Sequence, residues 1–244
     1  MKKQIKRPLI VFAAGVVLVA ASSVGATRAA ITYQNAAEQV DFSTSTLTVD
    51  LQEERDGKYV SVLEDGTLTF TSLQNSDGEY DFNIGQEYEE NVKVVNNSPG
   101  QYDEYVRVNV RKSWVKGGVK NTELEPDTIV LDVASGWIID DETEEGSIYY
   151  LTTPLAYGES AAFLEHIMID NKVWDYVDTV EKEGEDGTIV NEYQYNDESF
   201  YVELRVDAVQ AHNGAEAMLG AWGAEVEFDG ATITSVNGSE AVTE

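Results

Sequence analysis

The two histidines are the first residues to test for chemistry, because imidazole serves both as a metal ligand and as a general base. His166 and His212 are the only histidines in the chain. A helical zinc-protease site needs two histidines one turn apart, and neither has a partner four residues away. His212 and Glu216 together could supply two ligands at most. We therefore predict that His212 is a polar residue at a strand-to-helix junction and that His166 is a half-buried imidazole on a strand.

No other constellation predicts catalysis. The run 158–162 comes within one residue of the nucleophile-elbow pattern around Ser160, but it lacks the final glycine and leads into a strand instead of a helix. A carboxylate pair for glycosidic cleavage can be imagined among 45 Asp and Glu, although sequence does not give its separation. The absence of cysteine excludes thiol chemistry. We expect a non-enzyme without a metal centre or cofactor.

Weak calcium binding is the one cofactor interaction that the sequence leaves open. Two acidic turns, at 75–78 and 183–187, offer carboxylates, but neither has the Asp-x-Asp-x-Asn-Gly spacing of a calcium loop. Solvated turns are the preferred interpretation of both.

Hydrophobic periodicity predicts the elements that would position these residues. Period-two alternation dominates, and one expected hairpin runs from Tyr59 to Leu73 around Asp65-Gly66. A single short helix is predicted at 213–222, ended by Gly223. The clearest inward-facing strand comprises Phe200, Val202, Leu204, Val206 and Ala208. We predict an all-β, jelly-roll-like antiparallel β-sandwich, with residues 31–244 as one domain and acidic loops near 140–146 and 178–187.

The N-terminus, residues 1–30, has the layout of a secretory signal peptide. A basic segment precedes an apolar stretch from Leu9 to about Ala21, and small residues follow. We expect cleavage after Ala29 or Ala30. The alternative is a retained membrane anchor, because apolar and small residues continue to Ala26.

The excess of acidic over basic residues limits the binding partners that the chain can have. The whole chain has 16 Lys and Arg against 45 Asp and Glu, and the signal contains five of the basic residues and no acidic ones. The remaining 11 basic residues leave the mature chain with a formal charge of −34. Such a surface repels nucleic acid and anionic membranes and attracts cations. We therefore expect a secreted protein of the extracellular matrix or cell surface, which contacts membrane only through the uncleaved signal.

Four stretches, in this order, resemble the TasA/camelysin family, the secreted matrix-fibre proteins of Gram-positive bacteria. They are the end of the signal (22–30), the strand pair at 84–108, the turn and strand start at 153–160, and Val206-Asp207-Ala208-Val209-Gln210-Ala211-His212-Asn213 with Ala221-Trp222-Gly223 behind it. The resemblance implies a jelly-roll fold, processing by a dedicated signal peptidase, and a role in extracellular fibres or biofilm matrix. Some relatives carry a metalloprotease label, but the helical zinc motif is missing here, so that activity is not expected.

Signal removal suggests a mechanism of assembly. Edge strands of a sandwich carry unpaired backbone groups that another strand can complete. We hypothesise that the new N-terminus donates a strand, led by the anchors Ile31 and Tyr33, to another copy of the chain or to a related matrix subunit. The donated residues would be Ala30, Ile31, Thr32, Tyr33 and Gln34. The alternatives are a monomeric surface adhesin or glycan-binding module that uses exposed tyrosines, and a secreted hydrolase.

Overall fold

The structure is a computed structural model that describes residues 47–62, 68–74, 83–140, 142–143, 146–181, 189–193 and 198–240. All of them belong to one compact unit, residues 45–244. The expected signal peptide with its cleavage site, the proposed donor residues 30–34 and the two acidic turns at 75–78 and 183–187 lie outside the described residues.

Antiparallel strands dominate the described part of the chain. In chain order they are β1 Val49–Arg55, β2 Lys58–Ser61, β3 Glu87–Asn96, β4 Glu104–Lys116, β5 Val119–Asn121, β6 Ile129–Val133, β7 Trp137–Asp140, β8 Gly146–Leu151, β9 Ser160–Ile169, β10 Val177–Glu181, β11 Ile189–Tyr193, β12 Glu198–Gln210, β13 Val226–Asp229, β14 Thr232–Val236 and β15 Ser239–Glu240. The α-helix of this part, α1, spans Gly214–Trp222. Short 3-10 helices span Thr71–Leu73, Pro126–Thr128 and Asn171–Asp175.

Two sheets form a sandwich. The first has the order β2-β1-β3-β9-β6, and the second has the order β12-β4-β8-β7 with β5 added beside β4. Three antiparallel pairs are nested in sequence: β7 with β8, β6 with β9, and β4 with β12. Successive strands from β3 to β12 thus alternate between the sheets, apart from the β7–β8 hairpin and the small β5 and β10–β11 pairs. This is the rolled-up pattern of a jelly-roll-like sandwich. The predicted all-β sandwich with one short late helix is confirmed.

The main core lies between the sheets and follows from the alternation of side chains along each strand. The predicted inward face of β12 is confirmed, with Val202 and Leu204 buried and Phe200, Val206 and Ala208 packed against the same core. Strands of both sheets contribute the other buried side chains, which include Leu51, Val92, Val94, Val106, Val108, Val110, Ile129, Phe163, Leu164 and Ile167.

A second, smaller core covers part of the outer face of the second sheet. Helix α1 and the three-stranded sheet β13-β14-β15 pack onto the outward side chains of β4, β7, β8 and β12. The residues buried there are Tyr105, Ile138, Tyr150, Val209, Met218, Ala224, Ile233 and Val236. The helix ends at Gly223, whose φ of 69° is the left-handed C-cap that glycine adopts without strain. Both the helix and its end agree with the sequence prediction.

The predicted hairpin from Tyr59 to Leu73 is wrong. The hairpin of this region is β1–β2, and it turns at Asp56-Gly57, where both residues have positive φ as a two-residue type I′ turn requires. Residues 68–74 do not continue a strand ladder. They contain the 3-10 helix Thr71–Leu73, preceded by Phe70 in the left-handed conformation. Two amides of this segment donate to a buried carboxylate, Glu53, and the amide of Leu68 donates to the carbonyl of Val202 on β12.

The second expected acidic loop, 178–187, needs a correction at its start. Residues 178–181 belong to β10, which pairs with β11 in a separate two-stranded sheet. In the first acidic region, Asp140 ends β7 and Gly146 begins β8, so the connection that is partly described there is short. None of the helices in the described ranges is sufficiently long and apolar to cross a bilayer.

Candidate functional site

One flank of the sandwich is open at β6, the edge strand of the first sheet. A cleft of about 630 Å³ lies between β6 and the facing strands β4 and β8. Its lining combines apolar and polar groups: Val110, Lys112, Asp127, Val130, Leu131, Glu142, Thr143, Ser147 and Tyr149. Cavities of roughly 300–1,000 Å³ are the usual size for a small-molecule ligand. The cleft is therefore large enough for a ligand or for side chains of another segment.

The backbone edge of β6 is available for pairing. β6 pairs with β9 on one side, and in the described ranges no strand pairs with its other side. Val130, Leu131 and Val133 are only half buried, although β6 reads as an apolar strand. An apolar strand with an unpaired edge beside an open cleft is the arrangement that accepts an added strand.

Lys112 dominates the electrostatics of the cleft. Its Nζ donates a hydrogen bond to the carbonyl of Ile129 at 2.9 Å. Burial lowers the pKa of Lys112, and the carboxylates of Asp127 and Glu142 partly oppose that shift. Burial likewise raises the pKa of Tyr149, which lines the cleft beside it. The cleft thus has a poorly hydrated cation at an apolar wall, a position that suits a polar or anionic group of an incoming segment.

Three ligating side chains meet on the outer face of the same strand pair. One ligand atom each from Asp132, Glu165 and His166 lies within 4.8 Å of the other two. The Nδ1 of His166 is 3.1 Å from Oδ2 of Asp132. One nitrogen and two carboxylate oxygens form a ligand set that divalent first-row metals accept, although exposed acidic groups often meet without an ion.

A β-bulge brings this set together. The β6–β9 register passes from Asp132 opposite His166 to Val133 opposite Leu164, which leaves Glu165 as an extra residue on β9. Glu165 and His166 are therefore both at the surface, while Leu164 lies in the core. Sequence reasoning missed the set because Asp132 is 34 residues from His166 and only the strand register joins them.

The structure places the other residues that were considered for chemistry as follows. His166 is on β9 with a half-exposed side chain and an aspartate partner, as predicted. His212 is exposed in the turn between β12 and α1, also as predicted. Ser160 is exposed at the first position of β9, so it enters a strand and not the helix that a nucleophile elbow requires.

A buried polar network anchors the chain where the described residues begin. The amide of Thr48 donates to Oγ of Ser98 at 2.7 Å, and the carbonyl of Thr48 accepts from the amide of Asn97 at 2.9 Å. Ser98 in turn donates to the fully buried carboxyl of Glu104, whose pKa burial raises. Thr48 is thus fixed at the β3–β4 turn.

The sequence was also compared with known protein families and with curated proteins. No family model matches the chain. No curated protein matches it either.

Proposed function

We propose that the chain is a secreted structural subunit of an extracellular fibre or biofilm matrix, which assembles by donating its N-terminal strand to a neighbouring subunit. The observation that carries the proposal is the open flank: β6 has an edge without a strand partner in the described ranges, beside a cleft of about 630 Å³ with a mixed apolar and polar lining. The export signal and the family resemblance of the sequence support it.

The donor residues have a pattern that suits this acceptor. In an extended strand, Ile31 and Tyr33 point to the same face because side chains alternate. A strand that pairs with β6 would direct these two side chains into the cleft and leave Thr32 outside. Donation from one subunit to the next is a head-to-tail contact that need not close, so it produces filaments. Cleavage after Ala29 or Ala30 would free the donor and begin assembly.

Electron microscopy of the mature chain, residues 30–244, tests the structural role directly. We expect regular filaments in negative stain, and we expect acid or calcium to promote them, because a formal charge of −34 must be partly neutralised before subunits pack. Deleting residues 30–36 is expected to abolish filaments and leave the fold intact, because both sheets and their core are built from residues 49–210 of the described part of the chain. Filaments that persist after the deletion would exclude the donor strand.

Engineered cysteines test the acceptor edge. The chain has no cysteine of its own, so a disulfide can form only between introduced residues. We expect subunits with Thr32→Cys and subunits with Val130→Cys, which would both lie on the outer face of the paired strands, to form a mixed disulfide on assembly. The matched control replaces Val119, a 70% exposed valine on β5, in place of Val130. Equal cross-linking at both valines would show that contact is not specific to β6.

The glycan-binding alternative relies on exposed aromatic side chains, among them Tyr157, Trp174 and Tyr201. If the mature chain stays monomeric in every condition and binds polysaccharide saturably, with loss of binding in Trp174→Ala, that alternative replaces the fibre proposal. The structural role needs no catalysis and no cofactor.

A further inference from the structure

The other flank of the sandwich, between β1 and β12, is closed by residues 68–74, which we name the flank strap. Three strap side chains are buried: Leu68, Phe70 and Leu73. The ring centroid of Phe70 is 5.3 Å from that of Phe200 on β12. Phe70 has a φ of 48°, a conformation that is unfavourable for a residue with a side chain. The strap must therefore be held in place by contacts.

Glu53 of β1 makes the main contacts with the strap backbone. Its side chain is fully buried, and its Oε1 accepts the amides of Thr69 and Phe70 at 2.8 and 2.9 Å. Its Oε2 accepts Nε of Arg55 at 2.7 Å. An ionised Glu53 is thus well supplied with donors and with one cation, which is what a buried carboxylate requires.

Glu90 of β3 is buried beside Glu53 and lacks such support. It is 2% exposed, and its Oε2 accepts one hydrogen bond, from Oγ of Ser72 in the strap, at 3.2 Å. Its Oε1 has no donor in the described part of the chain. A proton on Glu90 would add the missing donor and would remove the charge repulsion with Glu53, the neighbouring group that acts most on Glu90. The pair is satisfied when it holds one proton and is short of donors when it holds none.

Other charges around Glu90 agree with this assignment. The described charged groups that act on it are Glu53 and Arg55, both from β1, while the strap contributes the hydroxyl of Ser72. Burial and, after it, the neighbouring Glu53 raise the pKa of Glu90 to about 8, although the Ser72 hydrogen bond and Arg55 oppose the shift. When two carboxyl groups share a buried site, the pKa of one of them is ordinarily raised.

We propose that Glu53 and Glu90 form a proton-operated latch for the flank strap. While the pair holds a proton, Glu53 binds the strap amides and Glu90 binds Ser72, so the flank is closed. When the proton is lost, two negative charges face each other in a site with one cation, and the strap is released. Release uncovers Phe200 and frees the carbonyl of Val202 from the amide of Leu68. The latch operates independently of whether β6 accepts a donor strand.

Proton linkage sets the size and the direction of the effect. In the released strap Glu90 regains its ordinary value of 4.5, whereas in the closed state its pKa is about 8. A group with a raised pKa in the closed state stabilises closure at low pH and loses that contribution as pH rises. The opening equilibrium of the strap should therefore increase by up to about tenfold per pH unit between those two values and level off above the higher one.

Amide hydrogen exchange of the full mature chain tests the latch. The amides of Thr69, Phe70 and Leu73 report on the strap, because each donates to a closed-state acceptor. Their protection factors, corrected for the intrinsic base-catalysed rate, are expected to fall by about tenfold per unit from pH 5.5 to pH 7.5. Amides of β3–β9 serve as the internal reference and should change much less.

Two variants sharpen the test. Glu90→Gln is neutral at every pH and keeps a donor for Glu53, so its strap protection should not depend on pH. Glu89→Gln, one residue away on the exposed side of β3, is the matched control and should retain the wild-type slope. Strap protection that is independent of pH in the wild type would overturn the proposal, and this outcome can be read even if Glu90→Gln fails to fold. Equal slopes in the strap and in β3–β9 would also overturn it, because they would indicate global unfolding.

Discussion

The two flanks of the sandwich differ in whether the chain covers the edge of the core. At the β1–β12 flank the chain closes its own edge with a strap, whose two buried leucines and one phenylalanine seal the core and whose backbone bonds to Glu53. At the β6 flank the described chain leaves an edge and a cleft open, with Lys112 held by a single carbonyl. The closed flank has a fully buried carboxylate paired with a cation, whereas the open flank leaves Val130, Leu131 and Val133 only half buried.

This difference indicates that the closed flank stabilises the fold, whereas the open flank is suited to binding. A flank that is sealed from within contributes to folding and cannot accept a strand until the seal moves. A flank that remains half exposed contributes little to folding and is free to bind, because regions for binding are drawn from the less stable parts of a protein. We therefore expect mutations at the closed flank to lower stability more than mutations at the open flank.

Truncating one leucine on each flank is expected to give the largest contrast. Leu73 is 2% exposed in the strap, whereas Leu131 of β6 is only half buried. Leu73→Ala should lower the free energy of unfolding by about 3 kcal/mol through lost burial and a cavity. Leu131→Ala should cost about 1 kcal/mol, because water already reaches the site. Urea denaturation of both variants at pH 6.5 makes the comparison, and equal losses would show that the flanks do not differ.

Exchanging one cation on each flank for methionine should change stability in opposite directions. Arg55→Met removes the cation from fully buried Glu53, so we expect a loss of about 2–3 kcal/mol. Lys112→Met keeps the length of the side chain and removes a charge that burial disfavours, so we expect a gain of about 0.5–1 kcal/mol. The midpoint of urea unfolding measures both. A loss of similar size in Lys112→Met would mean that the open flank depends on its cation as the closed one does.

The pH dependence of stability distinguishes the closed flank further. Glu90 has a raised pKa of about 8 in the folded state, so its contribution is fully present below its ordinary value of 4.5 and is lost as pH rises towards 8. Glu90→Gln removes this loss. We expect the variant to match the wild type at pH 5 and to exceed its free energy of unfolding by about 3 kcal/mol at pH 8. A constant difference between the two proteins across that range would contradict the assignment of the proton.

Periodicity was sufficient to predict the elements that build the sandwich. The alternation from Phe200 to Ala208 predicted the inward face of β12, and the glycine at 223 predicted the end of α1. Both signals are local: one is the pleat of a strand and the other is a backbone conformation that favours glycine.

The features that distinguish the flanks depend on contacts between distant residues, and sequence could not supply them. Glu53 lies 16 residues from Thr69, and the cleft joins three separate strands. One local signal was nevertheless present. Leu51 and Glu53 are in phase on β1, as are Glu90, Val92 and Val94 on β3, and all five are buried. Extending each apolar alternation by one step would have placed both carboxyl groups inside the core.

The smallest effect is expected on the outer surface of the open flank. Asp132 and His166 form a hydrogen-bonded pair with side chains that are 57% and 42% exposed. Water screens such a pair, so Asp132→Asn should change the free energy of unfolding by less than about 0.5 kcal/mol at neutral pH. A larger loss in the monomer would mean that this face stabilises the fold, as the closed flank does. A negligible loss in the monomer together with weaker filaments would instead assign Asp132 to the contact between subunits at β6.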